Sequence, residues 1–447
     1  MRYKITKKQL IFIVIVFLEL VLLPWFPENF NTKSMAIISI IQVVFLCVAV
    51  LKLDKRNYYL CIFISLIWLF HCGQILKDAF DIEGIVWLDF SNYGNNNSFL
   101  VAFKYYYVSM LAIALGIFCR SLVREKISTI KTINWKLVAK LLIILGIIPR
   151  IYVDVNRFFY AVTVGYSKVN SLPIAAPIQA IAFFFDAGVL IELRRRIDED
   201  LKSTVLFWGV FIYKALTMIT GARQDAFCFL IIWIYVYYLI KRKSIKQLLK
   251  IIVLAYIGLV FIEIIGDIRG EGQLSWELLI SGKNNAQIMF GNVLGEFGAS
   301  FCTLVVAIQD IPQYLSFGFG RSYVAGVVSV IPGLLSKIQF LKESATFTTS
   351  LPSNITYAFG GSFIAESYYN FKWLGIVVSF VVGWCAAFCQ INMINYNNKR
   401  NYGASIVALV LLLFIRGYFV DMTMKLAYLW LFIWAINYFF KRRKQKL

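Results

Sequence analysis

Along this chain, apolar runs of roughly 17 to 22 residues alternate with short polar segments from one end to the other. Each run is long enough, as a helix, to cross a hydrocarbon core of about 30 Å. The pattern predicts about twelve helical spans, centred within 9–27, 35–51, 57–76, 99–119, 136–152, 173–193, 203–220, 225–240, 250–266, 373–394, 403–420 and 424–440. The first run, LIFIVIVFLELVLLPWF, is followed by further spans and has no small-residue cleavage site, so it reads as a retained helix. One stretch breaks the rhythm. Residues 267–372 form a large loop of about 100 residues, expected on the outer side and too long for a simple linker. Within it, 286–308 and 322–341 are apolar enough to touch the membrane. Were both to span, 310–321 would be cytoplasmic with Arg321 its only basic residue, so helices that lie at the interface or re-enter are expected. The fold class is all-α: a single integral membrane domain over 1–447, with the loop inside it.

Composition agrees and removes alternatives. With 60% hydrophobic residues, 15% charged and a mean hydropathy of +0.72, a chain of 447 residues has too little polar surface for a soluble globule. The net charge of +21 comes mostly from clusters such as KLDKR, RRRIDEDLK, KRKSIKQLLK and KRRKQK. These alternate with the spans, as cytoplasmic loops do under the positive-inside rule, and they put both termini in the cytoplasm. No motif points to nucleic acid. Seven of the eight cysteines sit in apolar runs, which argues against a disulfide framework. His71 is the one histidine, leaving a zinc site almost no ligands. No metal or cofactor is expected.

Ionisable residues inside spans cost about 2.5–3.5 kcal/mol each on insertion scales, so each needs a reason. Lys104, Lys140 and Lys214 can snorkel to the nearer interface. Glu19 and Asp186 can pair within the bundle, and His71 reads as a satisfied buried imidazole rather than a base. The arginines are harder to dismiss. Arg150 ends the fifth predicted span, with Asp154 just beyond it; Arg223 lies between the seventh and eighth, and Arg269 follows the ninth. All three fall on the outer side, where positive-inside has no use for them, and Arg416 lies within a turn or two of that level. Taken singly, each arginine has an ordinary use, capping a helix or meeting a lipid headgroup. Four at one depth suggest an anion site, because guanidinium holds phosphate through paired, permanently charged donors. In the hairpin ITGARQDAF, Gly221 suits a helix C-cap and Asp225 the N-cap of the next helix. Arg223 is not needed for either.

A second dense stretch, SLPSNITYAFGGSFIAESYYNFKWLG at 350–375, closes the loop. Gly360, Gly361 and Ser362 permit close backbone approach. Tyr357, Phe359, Tyr368, Tyr369, Phe371 and Trp373 offer flat apolar faces of the kind sugars stack on. An interfacial aromatic belt accounts for Trp373 and Tyr369 but not for Glu366, an acid just before a span. Asn354 begins an NIT sequon that reads as chance.

Taken together, TGARQDAF, GDIRGEG, GGSFIAESYYNFKWLG and IRGYFVDM, in this order across about residues 145–425, resemble the Wzy-type O-antigen and capsule repeat-unit polymerases. The chain departs from the common pattern at Ala222, where a serine often precedes the arginine, and at Lys372, where a glycine often follows Asn-Phe. The resemblance implies a GT-C-like polymerase bundle in the bacterial cytoplasmic (inner) membrane. It also implies a membrane glycosyltransferase of polysaccharide biosynthesis: undecaprenyl-diphosphate-linked oligosaccharides would be joined into O-antigen of lipopolysaccharide, or into capsule, at the outer face. A chain-length regulator would be a partner. Developing charge on the leaving diphosphate would be met by guanidinium groups rather than a metal. On this reading Arg223 and Arg269 bind donor diphosphate, supported by Arg150 and Arg416. Glu366 is the first candidate for general base and Glu296 the second, with Tyr368 and Tyr369 in the glycan site. A lipid-linked oligosaccharide flippase or exporter and an O-antigen ligase are the alternatives. A flippase would gather its charges in a mid-membrane cavity and needs no large outer loop. Arg223→Ala and Arg269→Ala should each abolish polymer while leaving the protein level unchanged. Wild-type chain length in a polysaccharide gel of both variants refutes the assignment.

Overall fold

A computed structural model of the chain describes residues 6–21, 31–83, 95–123, 133–163, 172, 174–218, 223–239, 286–351, 360–394 and 401–445. Among these residues there are helices and turns and no strand. The predicted span 250–266, together with Arg269, Gly221, Ala222, Asn354, Tyr357 and Phe359, lies outside the described residues. The helices, in chain order, are α1 (Lys7–Val21), α2 (Thr32–Leu53), α3 (Tyr58–Ala79), α4 (Asn96–Leu122), α5 (Trp135–Thr163), α6 (Ala176–Asp198), α7 (Thr204–Thr217) and α8 (Arg223–Ile234). They continue with α9 (Ala286–Asp310), α10 (Arg321–Val328), α11 (Leu334–Lys337), α12 (Gln339–Ala345), α13 (Phe363–Phe371), α14 (Ile376–Ile394), α15 (Asn401–Phe414) and α16 (Phe419–Gln445). Seven helical stretches among the described residues are long and apolar enough to cross a membrane. The chain is a multi-pass membrane protein.

Helix starts follow local chemistry. Asn31, Asn95 and Ser362 each sit in extended backbone, and their side chains accept a hydrogen bond from the N–H three residues on, at 3.1, 2.8 and 3.2 Å.

Two compact units emerge from the contacts. The first comprises Met1–Ile127, Phe290–Ile391 and Phe414–Met422. In it α1 packs on α2 and α2 on α3. Gln42 of α2 donates to the Tyr107 carbonyl of α4 at 3.0 Å, and the Tyr107 hydroxyl donates to the Glu19 carboxylate of α1. Glu19 therefore finds a phenol. His71 of α3 is fully buried: its ring nitrogens meet the Ile67 carbonyl and the Ser362 hydroxyl, both at 2.9 Å, and it stacks on Tyr106. It is a satisfied core group. All eight cysteines are free thiols.

The loop region 267–372 divides unevenly. Residues 322–341 break into the short helices α10 to α12, none of spanning length. By contrast 286–308 falls in one 25-residue helix, α9, of which Phe290–Asp310 is long and apolar enough to cross. An interfacial helix is not what the structure has there: that stretch is mostly buried. Asn292, Ser300 and Thr303 lower its mean hydropathy, but all three side chains are buried in the unit. Ser300 and Thr303 donate to the carbonyls of Gly361 and Gly360, at 3.2 and 2.9 Å. The expectation rested on the sparse basic charge of 310–321, which carries no information on how α9 packs.

The second unit comprises Ser128–Met289, Asn392–Leu413 and Thr423–Leu447. Its centre is the pair α5 and α6, which lie against each other along their length. Glycines at the crossing make that approach possible. A Cβ on Gly146 would stand 2.2 Å from the Phe185 backbone nitrogen, and one on Gly188 2.9 Å from that of Ile143. Helix α5 also runs thirteen residues past Arg150, with Pro149 inside it. Arg150 thus sits in mid-helix: the apolar run stops near it while the backbone helix does not. Gly146→Val should force α5 off α6 and cost about 1–3 kcal/mol or more. A thermal melt of the detergent-purified protein should fall by several degrees; an unchanged melt refutes the backbone-contact account.

Candidate functional site

The close approach at Gly146 sets the position of Arg150, one turn along α5, against Asp186, the residue after Phe185 on α6. The Arg150 guanidinium donates to Asp154 at 2.9 Å and to Asp186 at 3.4 Å. The Lys214 ammonium from α7 reaches Asp186 at 2.5 Å and lies 4.7 Å from the Phe229 ring centre. The Tyr213 hydroxyl donates to Asp154. The four charged side chains of this inner group are at most 10% exposed, and their charges cancel in pairs. Lys214 therefore does not snorkel: at 1% side-chain exposure it is an interior ion partner.

A second, looser group lies further along α5. Arg157 stands 3.7 Å from the Asp225 carboxylate, and Lys425 of α16 stands 4.0 Å from it. The Arg157, Lys425 and Asp225 side chains are 18%, 23% and 35% exposed, and their separations exceed hydrogen-bond length. Arg150, Arg157, Asp186, Asp225 and Lys425 all line one pocket, whose remaining wall is largely apolar, with Val153, Phe183, Phe229, Leu409 and Leu413. The pocket thus combines charged and apolar lining. Asp225 is not the N-cap expected of it. Helix α8 already begins at Arg223, so Asp225 lies in its first turn with the carboxylate directed at the two cations.

The other predicted site residues fall in different surroundings. Arg223 is the first residue of α8 and half-buried, and its neighbour Gln224 donates to the Leu413 carbonyl at 3.2 Å. Arg150 and Arg223 thus belong to the second unit, whereas Arg416, Glu296, Glu366, Tyr368 and Tyr369 belong to the first. Arg416 is half-buried in the turn between α15 and α16, packed on Gly360. Gly360 has φ +82, and a Cβ there would come within 2.6 Å of the Arg416 Nε, so this position has no room for a side chain. Glu296 is half-buried on α9.

Glu366 is fully buried on α13. One carboxylate oxygen accepts from the Ser322 hydroxyl at 2.6 Å, the other from the Phe419 backbone N–H at 2.8 Å. Asn370, one turn on, donates to Ser322 at 2.7 Å and to the Glu366 carbonyl at 2.8 Å. This clasp joins α10, α13 and the start of α16. The aromatic faces of Tyr368 and Tyr369 are also taken: Tyr368 meets Tyr105 edge-on at 5.2 Å, and Tyr369 stacks on Phe347 at 4.7 Å and donates to Ser344. Beside the clasp, burial and the Glu366 charge push the Tyr323 phenol up from its ordinary pKa.

Asp198, Glu199 and Asp200 spell an acidic Asp-x-Asp, yet Asp198 is paired with Arg194 at 3.1 Å and Glu199 with Arg195. Among the described residues no group of three potential metal ligands comes together.

The sequence profile of the O-antigen polysaccharide polymerase Wzy family matches residues 9–446, nearly the whole chain. The chain belongs to that family. No curated protein and no solved structure matches it. The family is one of O-antigen polysaccharide polymerases. Sequence reasoning missed Arg157 and Lys425. A signal existed for the first: Arg150, Asp154 and Arg157 follow the i, i+4, i+7 spacing of one helix face.

The inner charge group gives a stability test. Asp186→Asn leaves Lys214 buried without its carboxylate, and Lys214→Met leaves Asp186 with Arg150 alone. Each should cost roughly 3–5 kcal/mol, while the double variant should cost less than the sum. Thermal melts of the four proteins form the cycle; strict additivity overturns the pairing.

Proposed function

We propose that this protein polymerises undecaprenyl-diphosphate-linked oligosaccharide repeat units at the outer face of the bacterial cytoplasmic membrane, both of its termini being cytoplasmic. The growing glycan passes from its lipid diphosphate to the next lipid-linked unit, and undecaprenyl diphosphate leaves. A chain-length regulator belongs with such a polymerase. The observation that carries the reading is the pocket of the second unit. Arg157 and Lys425 converge there, 3.7 and 4.0 Å from one carboxylate, and Arg150 and several apolar side chains line the same pocket. A polyprenyl diphosphate has the matching halves, an anionic head and an aliphatic tail. Guanidinium and ammonium groups stabilise the charge that develops on the leaving diphosphate as the glycosidic bond breaks. On this reading Arg223 and Arg269 bind the same donor diphosphate.

A flippase reading draws on one observation, the buried inner group of Arg150, Asp154, Asp186 and Lys214, because transporters place charges inside the bundle. Two features favour polymerase: family membership, and the mutual cancellation of those inner charges, which leaves the outer pair to meet a ligand. A deletion strain separates the readings by gel. Loss of a polymerase leaves lipopolysaccharide with a single repeat unit, whereas loss of a flippase or a ligase leaves none. Complementation with wild type should restore the ladder, and Arg157→Ala or Lys425→Ala should leave the single-repeat band at equal protein level. A full ladder from both variants overturns the pocket assignment.

A further inference from the structure

The two charge groups of the second unit are built differently. In the inner one, every ion pair is 2.5–3.4 Å long and buried, with two cations set against two carboxylates. Such a group is locked and neutral, and leaves little field for a ligand. In the outer one, two cations share one carboxylate at 3.7 and 4.0 Å, and all three side chains keep some exposure to the pocket. Coulomb attraction persists at that separation, but no hydrogen bond has to be broken to pull the cations away from Asp225. Asp225 stands in the first turn of α8, where a carboxylate also gains from the helix dipole, yet it is directed at two cations, neither of which requires it for solubility at a part-exposed site.

We propose that Asp225 is a built-in competitor for the diphosphate, holding Arg157 and Lys425 when the pocket is empty and repelling the product when it is full. The inference rests on the reading of the pocket as a diphosphate site. Its chemistry follows from the charge change in the reaction. A donor diphosphate is esterified at both ends. Once the glycan has left, the diphosphate is esterified only by the polyprenol, its terminal phosphate gains one more ionisable oxygen, and near neutral pH that group carries most of a further negative charge. Two cations alone would hold the more charged product more tightly than the substrate and so stall turnover. A fixed carboxylate between them acts in the opposite sense. It weakens binding of both species, the product more, and it offers the cations a partner the moment the product leaves.

The test is binding of inorganic pyrophosphate to the full-length protein in detergent or nanodiscs, followed by calorimetry. Pyrophosphate carries the product's charged terminus without its lipid. Asp225→Asn, isosteric and neutral, should bind it about tenfold more tightly than wild type, the effect of one like charge removed at a part-exposed site. Asp225→Ser, which also suits a helix start, should show the same gain should the asparagine variant fold poorly. Arg157→Ala should bind more weakly. A gain of affinity is not what a folding defect produces, so the sign separates competition from a structural role. Unchanged or weaker binding by both Asp225 variants, with Arg157→Ala still weakened, overturns the competitor while leaving the pocket. Equal binding by all of these proteins and wild type, or none by any, overturns the pocket itself and the inference with it.

Discussion

Charge buried away from water has to be paired, and the second unit is organised around that requirement. Arg150 cannot give up its proton as a lysine or carboxyl can adjust its own, so wherever the fold takes it, acids must follow. Asp154 comes from one turn along the same helix, and Asp186 from across the α5–α6 crossing. Asp186 in turn accepts Lys214 from α7. Three helices are thereby fixed by one guanidinium. The crossing works only because Gly146 and Gly188 let the two backbones nearly touch, so a constraint on side-chain volume becomes a constraint on charge geometry. On the proposed reading the cations of the outer group, held only loosely by Asp225, are the ones that meet a ligand.

The first unit answers the same requirement with neutral donors. Glu19 receives a tyrosine hydroxyl, and Glu366 receives a serine hydroxyl and the backbone N–H of Phe419. Phe419 opens α16, where N–H groups have no intrahelical partner, so the carboxylate satisfies a helix end and gains from its dipole. Ser322, Asn370 and Tyr323 complete the surroundings. An acid enclosed in this way joins elements together, and the rings of Tyr368 and Tyr369 are likewise engaged with other rings. Chemistry-bearing residue types in a membrane protein can thus serve architecture, and their enrichment in one stretch does not by itself mark a reaction centre.

How far the sequence could be read follows from this. Apolar run length disclosed the helical class and the placement of most helices, because crossing a hydrocarbon layer demands a minimum length whatever the packing. The fifth apolar run ends near Arg150 while α5 continues to Thr163, so run length does not give helix length. The scarcity of basic residues in 310–321 argued for interfacial or re-entrant helices, whereas 286–308 lies in a mostly buried helix that is long and apolar enough to cross. Of the four arginines singled out, Arg150 lines the pocket of the second unit with Arg157 and Lys425, which the sequence reading did not single out. Lys425 is distant in sequence from its partners, and nothing local singles it out.

What the sequence determined by itself is the class of object: a basic, multi-pass helical bundle whose ordered motifs resemble those of the polymerase family that its profile matches. Those properties are sums and local patterns, set by composition, run length and order along the chain. Tertiary structure decided which charges cancel and which remain available. That depends on separations of a few ångströms between side chains remote in sequence, such as Arg150 with Asp186 and Arg157 with Asp225. Electrostatic energy varies steeply over that range and hardly at all with position along the chain.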